Sequence, residues 1–244
     1  MPLMDEFKAE RDEIKNRSFK ERMKYFWDYY KWHVIGGAVA VFVVISLIHS
    51  YVTRKDTAYY VVMANMVENL TSEEYLQEFT ELSGIDQKKE AICFDSDFMM
   101  DLKAMDQSTF TSTQKIMVYL SGGNLDTMLS DLSVTNQYAY NESLADLRTF
   151  LTAEEMEKYE PYFYYVDYAL IRENGDSIND TIDYPEDPSD PTAMAEPIPV
   201  AIRLPECQKL RQAYTFSEEQ YFSVFINSKR TELNHLFLSY VMED

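Results

Sequence analysis

Two acidic clusters are the first places to look for chemistry in this chain. "FDSDFMMD" brings Asp95, Asp97 and Asp101 close together, and "DYPEDPSD" does the same for Asp183, Glu186, Asp187 and Asp190. Clustered carboxylates are what a calcium ion takes, since it needs several oxygen ligands. Neither cluster has the loop glycine and terminal glutamate of an EF-hand, so both read as solvated acidic loops and no metal is expected. The glycines of "SGG" at 121–123 follow a helical pattern. They therefore suit a helix C-terminus; a phosphate cradle needs glycines before a helix N-terminus. Nucleophilic catalysis lacks its parts. His235 is the one histidine after residue 56, and no G-x-S-x-G, H-E-x-x-H or C-x-x-C occurs. The expectation is a protein that is not an enzyme and carries no cofactor.

Charge narrows the partners. Residues 1–56 hold 10 basic and 8 acidic residues, which leaves 12 and 34 for residues 57–244, a net of −22. Such a segment repels the phosphates of DNA and RNA, so nucleic acid is excluded as a partner. It also repels anionic lipid headgroups. The two cysteines, Cys93 and Cys207, lie in this segment, and pairing or burial as thiols both remain open.

Contact with a membrane falls instead to the run "WHVIGGAVAVFVVISLIHSYV". Its 21 positions, Trp32 to Val52, contain no Asp, Glu, Lys or Arg. As a helix they would extend roughly 31 Å, about one hydrocarbon thickness. Aromatic residues flank both ends, as suits the headgroup region. The segment before the run is too long for an ordinary signal peptide, and no small-residue cleavage site follows. The spacing therefore predicts an uncleaved signal anchor: a charged cytoplasmic leader at 1–32, a span through the bilayer at 33–52 and a stalk at 53–58. Lys15, Arg17, Lys20, Arg22, Lys24 and Lys31 precede the run, against Arg54 and Lys55 after it. Cation-rich flanks stay inside, so residues 59–244 are expected to form an extracellular domain.

Within that domain, strand and helix patterns alternate, which predicts an α/β fold around a mixed sheet. "AYYVVMAN", "AICFD", "LDTMLSD", "YFYYVDYALI", "IPVAIR" and "YFSVFI" read as strands. "TSEEYLQEFTELSG" reads as a helix opened by a capping box of Thr71 and Glu74, and "TAEEMEKY" as one opened by Thr152 and Glu155. "STQKIMVYLSGG" is expected to turn Ile116, Met117 and Leu120 inward, and "SLADLRTFL" to be helical. The last helix, "SKRTELNHLFLSYVM", shows a buried face at Leu233, Leu236, Phe237, Tyr240 and Val241. Residues 173–197 carry eight acidic residues and several prolines, and read as a long solvated excursion.

"STQKIMVYLSGGNLDTMLSD" followed by "YAYNESLADLRTFLTAEEMEKYEPYFYYVD" resembles the middle of a type II extracellular solute-binding protein. "PIPVAIR" and "YFSVFINSKRTELNHLFLSYVM" resemble its later strand and C-terminal closure. The "YFWDYYKWH" start is similar to that of a group of uncharacterised bacterial single-span proteins. The first resemblance implies a reduced periplasmic-binding-protein-like fold, with two small lobes and a ligand crevice at the carboxyl ends of strands. Asp95, Asp131, Tyr138 and Tyr140 are the ligand-contacting positions it suggests, with core packing the competing role for both tyrosines. The implied function is capture of a small solute, or accessory binding beside a transporter. The alternative is a structural or protein-interaction component of the cell envelope whose crevice is filled.

Overall fold

The computed structural model describes residues 18–104, 106–174 and 187–243. The chain divides into two compact units, Met1–Arg54 and Lys55–Asp244. Among the described residues, the first unit is one helix, α1 (Phe19–Val52). Its Tyr30–Val52 portion is long and apolar enough to cross a membrane, and none of that portion is buried. Most of the leader read at 1–32 lies outside the described residues.

The second unit is built on a six-stranded mixed sheet. In chain order it comprises β1 (Asp56–Ala64), β2 (Val67–Glu68), α2 (Ser72–Ser83), β3 (Glu90–Phe98), α3 (Gln107–Ser121) and β4 (Thr127–Ser130). There follow α4 (Leu132–Tyr140), α5 (Ala153–Tyr159), β5 (Phe163–Asp167), α6 (Tyr168–Asn174), β6 (Pro197–Arg203), α7 (Gln208–Ala213), β7 (Tyr214–Thr215), β8 (Tyr221–Val224) and α8 (Thr231–Met242). The main sheet runs β3-β1-β4-β8-β6-β5, and β2 pairs with β7 apart from it. β1 is parallel to β3 and β4, while β4–β8, β8–β6 and β6–β5 are antiparallel. The fold is thus mixed α/β. The described residues of Lys55–Asp244 form one compact unit around the main sheet, and a division into two lobes is not seen among them.

β1 shows why the sheet is sandwiched. Its residues are mostly β-branched or aromatic and nearly all apolar, which suits a strand covered on both faces. Alternation sends Tyr59, Val61 and Met63 into one core, with Phe79 of α2, Leu210 of α7 and Phe237 of α8. Val62 and Ala64 enter the other, with Ile116 of α3, and Val134 and Tyr138 of α4. The first core is rich in rings: Phe79, Phe94 and Phe237 stand 5.1–5.5 Å apart, centroid to centroid.

Several local expectations change on folding. Met117 is 62% exposed; Ile116 and Ser112 face inward instead, with Thr109 one turn earlier. Thr71 does not cap α2, because its hydroxyl donates to the Gln212 carbonyl at 2.8 Å. The second capping box, Thr152 with Glu155, is formed. "SLADLRTFL" is not an α-helix: Leu144 bridges Phe225 and the Ala145 N–H donates to the Val224 carbonyl, leaving only a 3-10 turn at Leu147–Thr149. The "YFYYVDYALI" strand ends at Asp167, whose carboxylate accepts from the Ala169 N–H and opens α6. β1 begins at Asp56, inside the segment read as stalk.

Of the excursion read at 173–197, residues 175–186 lie outside the described residues. The part from residue 187 onward is tied down. The Pro188 carbonyl accepts from the Tyr165 N–H at 2.7 Å, on the outer edge of β5. The Asp167 carboxylate accepts from the N–H groups of Ala195 (2.9 Å) and Glu196 (3.0 Å). Burial pushes the Asp167 carboxyl up, but these backbone donors outweigh it and hold the group below the usual carboxylate range.

Candidate functional site

The four positions suggested by the sequence fall into three environments, all near the β3-β1-β4 part of the sheet or the helices over it. Asp131 is the N-cap of α4: its Oδ1 accepts from the Val134 N–H at 3.0 Å. Its Oδ2 accepts from Nδ2 of Asn65 at 2.6 Å. Asn65 directly follows β1 with φ of +57°, a left-handed conformation that asparagine tolerates better than most residues. Its Oδ1 accepts from the Met100 N–H at 2.7 Å, and its Nδ2 also donates to the Met100 carbonyl. One asparagine and one aspartate thus join the carboxyl ends of three parallel strands, β1, β3 and β4. This is where a crevice is expected in an open α/β sheet. The Asp131 side chain is buried and occupied by protein partners.

Tyr138 lies beneath the same junction, 2% exposed, with its hydroxyl 4.0 Å from Sδ of Met100 and its ring edge-on to Phe225. Burial pushes the phenol up to about 12, against a weaker opposing hydrogen bond with Thr113. Tyr140 is also buried, and its hydroxyl accepts a long 3.4 Å contact from the Asp167 N–H. Both rings pack the core, and they lie in the second apolar cluster with Val62, Ile116 and Val134.

Asp95 sits apart, on β3. Its carboxylate accepts from Nζ of Lys115 on α3 at 2.8 Å, from the Asp97 N–H at 3.0 Å, and from the Tyr60 hydroxyl. Partial burial raises the Asp95 carboxyl, but Lys115, Tyr60 and the Asp97 N–H together bring it below its ordinary value. For Tyr60, burial and then the hydrogen bond and charge of Asp95 push the phenol far above its ordinary value. Asp95 therefore stays ionised and Tyr60 protonated across the neutral range, so neither is poised to exchange protons there. Lys115 also lies 4.2 Å from the centre of the Phe98 ring, a cation–π contact that completes the cluster. Tyr60 and Lys115 are partners that local sequence spacing did not reveal. The available signal was a lysine next to Ile116 on the inward half of an amphipathic helix.

A second buried carboxylate was missed altogether. Asp126, fully buried just before β4, accepts from Arg230 Nη1 at 3.1 Å, Ser228 Oγ at 2.8 Å and the Tyr60 N–H at 3.0 Å. Arg230 also donates to the Thr57 carbonyl, and Asn234 joins Ser228 to Thr127. Every oxygen of Asp126 has a donor, as a buried charge requires. Its role is to clamp the start of α8 against β1 and β4.

Among the described residues no group of three or more His, Cys, Asp or Glu side chains could hold a metal ion. Cys93 and Cys207 are not joined, and the Cys207 thiol donates to the Val241 carbonyl at 2.9 Å. Burial, then the Asp95 charge, pushes the Cys93 thiol up, which disfavours its reactive thiolate. Two clefts lie elsewhere. One of about 300 Å³ runs along β5 and β6, between Arg148, Met156, Glu160, Phe163, Tyr165 and Pro199. The other, of about 220 Å³, opens between the β6–α7 connection and the segment before β8, at Leu204, Leu210, Arg211, Phe216 and Gln220.

Outside α1, a group of exposed apolar side chains lies on α3. Phe110, Met117 and Val118 are 53%, 62% and 65% exposed. They stand at i, i+7 and i+8, which puts them on one outward face of the helix. No protein-family model, curated protein or solved structure matches the chain.

Proposed function

We propose that this chain is a single-span, membrane-anchored interaction component of the cell envelope, with its N-terminus cytoplasmic and its α/β domain extracellular. The outward face of α3 is the contact surface. The single observation that carries this reading is that contrast: the junction at Asp131 and Tyr138 is filled by protein, while Phe110, Met117 and Val118 are left to solvent. Exposed apolar side chains on one helix face are the usual seat of a helix-in-groove or helix-on-helix contact. The net charge of −22 on residues 57–244 favours a cationic amphipathic segment of another envelope protein as the occupant. It disfavours a second copy of the same domain, which would carry the same charge.

Placing a photo-reactive amino acid at Met117 in cells tests this. The expected result is a discrete adduct whose partner peptide is rich in Lys or Arg, together with no such adduct from the exposed position Glu154 on α5. An adduct with a second copy of this chain, equal adducts from both positions, or none from Met117, would each overturn the proposal. Solute capture is the second reading. It draws its support from the cleft at Gln220 rather than from the positions first suggested.

A further inference from the structure

We infer that the cleft at Gln220 is a binding site for a small uncharged ligand presenting an N–H and a C=O side by side: a primary carboxamide or a lactam on a short apolar body. This goes beyond the interaction surface on α3. The cleft residues Leu204, Cys207 and Leu210 belong to the apolar cluster on the other face of the sheet.

Gln220 is 3% exposed and lines the cleft. Its own backbone is fixed, because its carbonyl accepts from the Leu204 N–H at 2.8 Å just before β8 begins. Its side-chain Nε2 donates to the Glu218 carbonyl at 3.1 Å, which settles which end of the amide is oxygen. The Oε1 at the other end is buried and finds no donor among the described residues. A buried acceptor without a donor is costly, and native structures contain few of them. The amide nitrogen carries two protons, and Glu218 takes one. Among the described residues Gln220 therefore has one unused donor beside one unused acceptor. A neutral group that satisfies both at once is a second amide in the cis arrangement, paired head to head.

The remaining walls set the rest of the ligand. Leu204, Pro205, Leu210 and Phe216 supply apolar surface. The charges at the rim already have opposite partners: Arg211 lies 3.9 Å from Glu206, and Arg203 lies 3.8 Å from Glu219. Arg211 is also stacked 4.7 Å from the centre of the Phe216 ring. Among the described residues no uncompensated charge faces the cleft, so a neutral ligand fits better than an ammonium or a carboxylate. A volume of about 220 Å³ limits it to a small metabolite.

The test uses the full chain in detergent micelles and two probes, isobutyramide and 2-pyrrolidinone, with isobutyrate and isobutylamine as charged counterparts. Fragments of this size bind weakly, so saturation-transfer NMR at about 10 mM probe is the suitable readout. Both neutral probes are expected to give signals and to displace each other, with at least a threefold weaker response from the charged pair. In the ¹⁵N-labelled chain the Gln220 side-chain amide resonance should move on adding 2-pyrrolidinone. Gln220→Leu removes both hydrogen-bonding groups from an apolar wall. It should keep or raise the thermal midpoint while abolishing the probe signals. If the leucine variant does not fold, the resonance shift in the native chain still decides. Equal responses from charged and neutral probes, an unmoved Gln220 resonance, or undiminished binding by folded Gln220→Leu would overturn the site. A bound water as the only partner of Oε1, unmoved by either probe, would do the same.

Discussion

Nδ2 of Asn65 lies 2.6 Å from Oδ2 of Asp131, and through that contact the end of β1 is fastened to the start of α4. The same asparagine holds Met100 after β3 by two further hydrogen bonds. A site where a crevice between strand ends could have opened is closed by two side chains. Asp131, one of the four positions the sequence suggested for meeting a ligand, is one of the two residues that shut this place.

Asp131→Ala should therefore act as a stability mutation. Loss of the cap costs about 1 kcal/mol, and loss of a hydrogen bond to a buried charged group about 1.5–3 kcal/mol. A total of about 2–4 kcal/mol is expected in urea unfolding of the detergent-solubilised chain. Asp131→Asn keeps a capping oxygen and should lose about half as much. An alanine variant within about 0.5 kcal/mol of the native chain would return Asp131 to the list of solvent-facing ligand candidates.

The neighbours Ile116 and Met117 should separate cleanly. Ile116 is fully buried, so Ile116→Ala should cost about 2–5 kcal/mol through lost burial and the cavity it leaves. Met117→Ala, on the outward face, should stay within about 0.5 kcal/mol. Thermal midpoints of the two variants would decide which residue the helix turns inward.

Acid should unfold the domain through three carboxylates. For Asp95, Glu155 and Asp167, burial raises the carboxyl but donors outweigh it, and each lies below its ordinary value. A group lowered on folding adds stability that is complete above its unfolded pKa, about 4, and is lost as pH falls towards the folded value. The thermal midpoint should thus show no contribution to its pH dependence from these groups between pH 6 and 8 (roughly two units or more above their unfolded pKa), and should fall below about pH 4. Asp167→Asn cannot serve all three backbone donors equally and should be less stable at neutral pH by about 1–3 kcal/mol. The gap between native and variant should narrow as pH approaches 3. A gap that widens in acid would contradict the assignment.

Topology is open to direct labelling. With Cys93 and Cys207 first replaced, a cysteine at the exposed position Ser189 should react with an impermeant thiol reagent on intact cells. One at Ser18 should react only after lysis. The reverse pattern would place the acidic domain in the cytoplasm, against the positive-inside reading.

The sequence carried those parts of the fold whose signals are local. β1 and β6 were legible because β-branched and aromatic residues crowd into short runs, and α5 because Thr152 and Glu155 make a reciprocal cap. α4 was not read as a helix. "LSVTNQYAY" is full of weak helix formers, and its one clear sign, the capping Asp131, was taken for the end of a strand. Met117 was turned the wrong way because a shift of one position on a helix rotates a side chain by roughly 100°. The environment of Asp95 needs Tyr60 and Lys115, which are 35 and 20 positions away, and Gln220 has no local pattern at all. Such contacts are made only when distant strands are brought together.

The order of the strands has a consequence for synthesis. β8, the last strand of the chain, is inserted in the middle of the sheet, between β4 and β6. While the polypeptide is still being made, β3-β1-β4 and β6-β5 can each form but share no pairing, and both expose a raw edge where β8 will go. Non-local pairing of this kind is slow, and unpaired edges invite association with other chains. The pairing of β2 with β7 can tether the two parts earlier, but the main sheet itself closes only when Tyr221–Val224 arrives to join its halves.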